Sequence, residues 1–389
     1  MLFSKGSAKL AGPDHLRALA ITLVLLFHYR IFAHPSWIDK AGSFGWTGVD
    51  LFFVLSGYLI SAPLFKQIAA GRPLSLKEFF VKRVFRILPA YLTVLAVYVF
   101  FPVLRERETL APLWKFLTFT QNYGQDIHRY GTFSHAWSLC VEEQFYLLLP
   151  FTMLLIRGRK SVFLVAGLFL LGFALRLYSW YALIPTGDGI AWYKYMYYPT
   201  YTRLDGLLVG ISIAGLRQFY PGVRSFFEQK KGWFLVTGLG LTAVAYIICL
   251  DPYSFTASIV GFPLVAIAYG CVLISLLSPK NRSFQVSSFI AALSYSLYLS
   301  HKIVIHLVQG QADRLGMDVN GTGMFVLCIV ACIGAALLLR YAVEKPFMRW
   351  RDHVLKVAQR EYPSPGIVSS PQNQSATIQT EESESRVSA

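Results

Sequence analysis

The chain has 389 residues, of which 55% are apolar types and only 15% are charged, and its mean hydropathy is +0.48. A soluble domain carries about 25% charged residues, so a water-soluble globular protein is excluded. The formal charge of +15 comes from 36 Lys and Arg scattered between long uncharged runs, not from one basic arm or stripe, which argues against a nucleic-acid partner.

A membrane crossing needs about 20 mainly apolar residues. Ten stretches qualify, at roughly 15–34, 47–65, 87–104, 138–156, 161–184, 199–216, 232–250, 256–278, 288–309 and 322–343. Lys5 and Lys9 ahead of the first resemble a secretory signal, but no small-residue cleavage site follows, so the stretch counts as a span. The loop after span 2 carries Lys66, Arg72, Lys77, Lys82, Arg83 and Arg86, and the one after span 4 reads Arg157-Gly158-Arg159-Lys160. Basic residues also follow spans 6, 8 and 10, whereas the odd-numbered exits are leaner. Lys and Arg are retained on the cytoplasmic side. The expected fold is therefore an all-α integral membrane bundle of about ten transmembrane helices with both termini cytoplasmic, and most of the positive charge is topology.

Residues 1–350 read as the membrane domain and 351–389 as a polar cytoplasmic tail, disordered from about Tyr362 because its Ser, Pro, Gln, Thr and Glu cannot bury a core. The one long outward loop, roughly 105–137, mixes Arg105, Glu106, Arg107 and Glu108 with Trp114, Phe116, Phe119, Tyr123, Tyr130, Phe133 and Trp137. Either a lid-like segment or an interfacial aromatic belt fits that composition. Five cysteines, mostly inside apolar runs, supply neither a disulfide framework nor a metal knuckle, so no metal is expected. No inverted repeat of the transporter kind is visible.

Ionisable side chains inside a membrane are costly and default to functional hypotheses. Arg17 and His28 lie eleven residues apart on span 1, about three turns and roughly 16 Å, so they share one face. Asp50 on span 2, Glu142 and Glu143 on span 4, Arg203 and Asp205 on span 6 and His301 on span 9 are expected with His28 in the outer half. Arg17 gathers with Arg83 and Arg86 at the inner face. The inner layer suits phosphates, which guanidinium groups bind in bidentate fashion. The outer layer pairs imidazole with carboxylates, the combination a general base and its orienting partner require. Each element also has a structural reading. Arg83 and Arg86 fit positive-inside anchors, while Asp50, Glu143, Arg203 and Asp205 fit mutually neutralising pairs between helices. Ser56-Gly57, Gly206, Gly210 and Gly215 fit close helix approach.

Leu16-Arg17-Ala18-Leu19-Ala20 running to Phe27-His28, an Arg-x10-His motif, resembles the first-helix signature of acyltransferase family 3, the integral-membrane O-acyltransferases. The resemblance continues through Gly48-Val49-Asp50-Leu51-Phe52-Phe53, Arg83-Val84-Phe85-Arg86, His135-Ala136-Trp137-Ser138-Leu139 with Glu142-Glu143-Gln144-Phe145-Tyr146, Arg203-Leu204-Asp205-Gly206, and Ser294 to His301. Where that family commonly has Asp-Gly-Leu-Arg, this chain has Asp14-His15-Leu16-Arg17, with arginine and histidine still in register. The resemblance implies transfer of an acyl group, usually acetyl, from cytoplasmic acetyl-CoA to a hydroxyl of a carbohydrate such as a surface polysaccharide, lipopolysaccharide or glycolipid. It also implies a bacterial inner membrane.

On that reading Arg17, Arg83 and Arg86 hold the coenzyme A phosphates. His28, oriented by Asp50 or Glu143, is general base or transient acyl carrier, and Arg203 or a hydroxyl donor meets the oxyanion. Glu142, Asp205 and His301 are further candidates for contact with substrate. Some relatives carry a fused esterase-like domain. The residues after 350 are too few and too polar to be one, so direct transfer, or hand-over to a separate extracytoplasmic transferase, is expected. The rival class is a transporter or flippase of a lipid-linked sugar, which also needs many spans and buried charges.

Overall fold

A computed structural model describes residues 11–155, 160–278 and 282–361. Among the described residues the regular structure is helical, and the sole strand-like pairing is an isolated bridge between Leu110 and Thr132. Each expected span contains a helix: α1 (Gly12–Tyr29), α2 (Thr47–Ala69), α3 (Leu76–Phe100), α4 (Trp137–Leu155), α5 (Lys160–Tyr178), α6 (Asp205–Phe219), α7 (Lys231–Ile248), α8 (Phe262–Leu276), α9 (Gln285–Arg314) and α10 (Thr322–Leu339). Seven helical segments among the described residues are long and apolar enough to cross a membrane. These seven contain α2, α3, α5 and α7 to α10, whereas α1, α4 and α6 are not among them. Those three carry Arg17 and His28, Glu142 and Glu143, and Asp205, while α2 and α9 hold Asp50 and His301 and still qualify.

Burial sorts the helices into a centre and a rim. In α2 and α9, 72% and 67% of the apolar window is buried, against 11% in α7 and 17% in α5. A helix apolar all round is stable at a lipid-facing rim, because lipid tails are as apolar as its own side chains. Helices α2 and α6 approach so closely that side chains would not fit. A Cβ on Gly57 would lie 2.2 Å from the Leu207 carbonyl oxygen, and one on Gly210 would lie 2.2 Å from that of Val54. Gly215 meets only the Phe65 ring, at 3.4 Å, and needs no such account.

A π-helical turn, Arg340–Glu344, leads from α10 into α11 (Lys345–Glu361). The boundary expected at residue 350 therefore falls inside a helix. The remainder of the expected tail, from Tyr362, lies outside the described residues. The long loop folds onto the bundle. Phe116 and Phe133 are fully buried, Phe133 lies 4.9 Å from the Tyr98 ring, and Phe119 stacks on Tyr91 at 4.8 Å. Trp114 remains exposed. One set of loop aromatics thus plugs the helix bundle while another faces outward, which combines the two readings of the loop.

Candidate active site

A cavity of about 120 Å³ lies between α1, α2, α3, α4 and α9. Arg17, Arg83 and Arg86 line it together with Ser56, Glu142 and Tyr146. The three arginines expected at one layer are therefore brought together. Arg17 sits 3.5 Å from Asp14, one turn back on its own helix, and the Arg83 guanidinium lies 5.5 Å from the centre of the Tyr146 ring. Glu142 belongs to this chamber and not to the histidine layer. Its carboxylate accepts hydrogen bonds from Ser56 Oγ at 2.8 Å and from Tyr146 Oη at 2.9 Å. The neighbouring Glu143 keeps one buried oxygen, Oε1, without a partner.

The far wall of the chamber is Ser138 and Tyr298, whose hydroxyls are 2.7 Å apart. Tyr298 also donates to the backbone carbonyl of His135. Behind it three buried imidazoles meet. Ring centres are 5.0 Å apart for His28 and His301, 4.9 Å for His135 and His301, and 5.8 Å for His28 and His135. His301 Nδ1 donates to the carbonyls of Leu297 and Tyr298, at 3.1 and 2.9 Å. That bond fixes the tautomer and leaves its buried Nε2 as an unpartnered lone pair. His28 Nδ1 and both nitrogens of His135 are likewise buried without partners. Burial, reinforced by His301 and Lys302, holds the loop residue His135 well below the ordinary imidazole range. Among the described residues no group of three or more His, Cys, Asp and Glu side chains is arranged to hold a metal ion.

The other expected site residues form a separate seam. Arg203 Nη2 bonds both oxygens of Asp50, at 2.9 and 3.0 Å, and its guanidinium lies 4.1 Å from the Phe262 ring centre and 4.9 Å from that of Tyr197. Asp205 pairs with Arg176, at 2.5 and 3.2 Å. Asp50 is thus committed to Arg203, and the rings packed against His28 are Phe27, His135 and His301. These groups do not meet in one cluster with His28. Helix phase separates them, with Glu142 turned into the arginine chamber and Asp50 turned toward α6.

Sequence reasoning passed over Arg176 and Lys302, although both stand within expected spans and meet the same test of cost that singled out His28. It quoted His135 within a motif but gave it no role. His135 lies before the start of α4, in a short turn at Ser134–Ala136, and no helical periodicity marks such a position.

A bundle of long apolar helices with an arginine-lined chamber beside three buried imidazoles defines a class: a multi-pass membrane protein with a polar site inside the bundle. The family described as "Acyltransferase domain" matches residues 10–341, and the chain belongs to that family. The peptidoglycan O-acetyltransferase OatA of Listeria monocytogenes is 29% identical over 321 residues, covering 76% of this chain and 49% of the relative. The O-acetyltransferase OatA of Staphylococcus aureus is 29% identical over 335 residues, covering 78% and 52%. The chain therefore spans about half the length of the curated relatives it matches. No solved structure matches it. Family membership leaves the transporter reading without support.

Proposed function

We propose that this membrane acyltransferase takes an acetyl group from cytoplasmic acetyl-CoA and places it on a hydroxyl of a cell-envelope carbohydrate. On this reading it sits in a bacterial inner membrane with about ten spans and both termini in the cytoplasm. The observation that carries the proposal is the continuity of one chamber, from three arginines to the Ser138 and Tyr298 hydroxyls that adjoin the imidazole cluster. Arginine guanidinium groups are the natural partners of coenzyme A phosphates. A volume of about 120 Å³ is far below the roughly 300–1,000 Å³ of a pocket that encloses a drug-sized ligand. The nucleotide then stays at the arginine mouth while the narrow pantetheine arm carries the thioester inward.

In the reaction His28 removes the proton of the acceptor hydroxyl as its oxygen attacks the thioester carbon. The carbon–sulfur bond breaks, and the electron pair leaves with sulfur as thiolate, which is protonated to free coenzyme A. His301, next to His28 with a fixed tautomer, supports the imidazole cluster. Arg203 is engaged by Asp50 and is not among the residues lining the chamber, so the oxyanion falls to a hydroxyl on the chamber wall, where Ser138 and Tyr298 stand. One well-placed donor is worth about 3 kcal/mol at a transition state. The acceptor class is supported by the name of the Listeria relative, which acts on peptidoglycan. Mass spectrometry of envelope glycans from cells with and without the protein tests the reading. The expected result is acetyl ester present only with the protein and labelled from isotopic acetyl-CoA. Identical glycans would overturn it.

A further inference from the structure

The two ends of the chamber differ in chemistry, and the end opposite the arginines bears on which acyl group fits. We propose that Phe52 and Leu139 close that end as an acyl pocket, which admits a short uncharged acyl group and excludes longer and dicarboxylic ones. The inference rests on the acyl-transfer reading above, in which the thioester lies at that end. Contacts between α2 and α4 fix the level of each lining residue. The Phe53 ring lies 6.1 Å from that of Trp137, and Ser56 Oγ donates to Glu142 at 2.8 Å. The two helices therefore run in the same direction, and Phe52 stands level with Ser138 and Leu139. Two turns further along, Leu59 and Ile60 stand level with Tyr146, against which Arg83 lies. Ser138 and Tyr146 mark the two ends on α4, and the helix between them rises about 12 Å.

Length is limited by packing. The closed end is walled by Phe52, Leu139 and the Tyr298 ring, and the hydroxyls of Ser138 and Tyr298 there are bonded to each other. Leu139 and Tyr298 are buried, and so are the side chains that adjoin this wall, Phe53, Trp137 and His135. A close-packed interior takes an extra methylene only by displacing its neighbours. An acetyl methyl group needs no such displacement at the end of the chamber, whereas each carbon added to it points into the wall.

Charge is excluded by the same arrangement. The cations that line the chamber, Arg17, Arg83 and Arg86, stand at the opposite end. Two other buried cations are already engaged, Lys302 by Glu106 and Arg203 by Asp50. A succinyl carboxylate at the closed end would lose its water and meet no free cation, which is costly for an ionised group. Leu59 lines the same chamber at the arginine end, so it shares the cavity with Phe52 and Leu139 without touching the acyl group.

The test uses full-length protein in liposomes, purified envelope glycan as acceptor, and acetyl-, butyryl- and succinyl-CoA as donors, with each ester measured by mass spectrometry. Wild type should use butyryl-CoA at least about 10-fold less efficiently than acetyl-CoA, the low end of the penalty for a misfitting methylene. Succinyl-CoA, with the same number of acyl carbons as butyryl-CoA, should be used less efficiently still. Leu139→Ala should raise the butyryl-to-acetyl ratio about 10-fold, and the milder Phe52→Leu should raise it less, with succinyl transfer still the poorest. Leu59→Ala should leave the ratio at its wild-type value. Each ratio is taken within one preparation, so a partly misfolded variant still reports it. Equal use of the three donors by wild type would overturn the pocket, and that arm needs no variant to fold. A ratio unmoved by both Leu139→Ala and Phe52→Leu, or moved as far by Leu59→Ala, would also overturn it. Wild-type protein that forms no ester from any of the three donors would overturn the acyl-transfer reading instead.

Discussion

Two buried polar regions lie side by side in this bundle and differ in how their charges are matched. In the seam between α2, α5 and α6, each carboxylate is matched by an arginine, although Arg203 Nε and Nη1 and Arg176 Nε stay without a hydrogen-bond partner. Asp50 is matched by Arg203, itself packed among rings, and Asp205 by Arg176, which also donates to the Thr202 carbonyl at 3.0 Å. In the chamber and the imidazole cluster the polar atoms are left open: Arg83 Nε, Glu143 Oε1, His28 Nδ1, His301 Nε2 and both nitrogens of His135 are buried without partners. A buried charge that is paired and desolvated by its own fold has little left to offer a ligand. Atoms that remain unsatisfied after folding are the ones a substrate can satisfy. On the proposed function the seam belongs to architecture and the chamber to chemistry, although both are made from the same residue types.

The contrast is testable because the two regions should fail in different ways. His28→Ala should show the largest effect, a loss of about 100- to 10,000-fold in ester formation with the melting temperature in detergent little changed. Retained activity would remove His28 from the chemistry. Asp50→Asn should do the reverse. It leaves the Arg203 guanidinium uncompensated in a dry site, which costs about 3–5 kcal/mol of stability, so thermal unfolding shifts strongly downward. Adding Arg203→Met should recover part of that loss. A stable Asp50→Asn variant with abolished transfer would move Asp50 back into the active site.

Arg17→Ala comes next in size. Charge-assisted hydrogen bonds contribute about 1.5–3 kcal/mol, so coenzyme A affinity should fall about 10- to 150-fold by equilibrium binding. Stability should barely move, because the single ion pair of Arg17 among the described residues is a 3.5 Å contact to Asp14 within its own helix. Unchanged coenzyme A affinity would return Arg17 to the role of a topological anchor.

How much of this was legible in the sequence follows from what sequence encodes locally. Apolar runs locate the helices α1 to α10, since the bilayer and the helix rise together fix the length of a crossing, but they miss the polar α11. The face shared by Arg17 and His28 also follows from periodicity, and both residues lie against α9, one at the chamber and one at His301. Pairing across helices was not legible. The sequence places Asp50 and Glu142 near the start of their spans, and the depth of each is set by the rotation of its helix against neighbours far away in the chain. His135 was hidden for a different reason, because its position depends on a turn held by Glu106 and Lys302, residues 29 positions before it and 167 after it.

The smallest expected effect lies outside both regions and calibrates them. Glu228 lies 3.1 Å from Arg224 Nε and 3.5 Å from Arg217 Nη2, and both Glu228 and Arg224 are substantially exposed. Water screens such charges whether or not they are paired, so exposed ion pairs contribute about 0–1 kcal/mol. Glu228→Ala should therefore leave ester formation and coenzyme A affinity unchanged and shift thermal unfolding only marginally. A pair of similar geometry differs from Asp50 and Arg203 mainly in solvent, so the ratio of the two melting shifts measures how dry the seam is. Comparable shifts would mean that water reaches Asp50 and that the separation of a sealed seam from an open chamber is wrong.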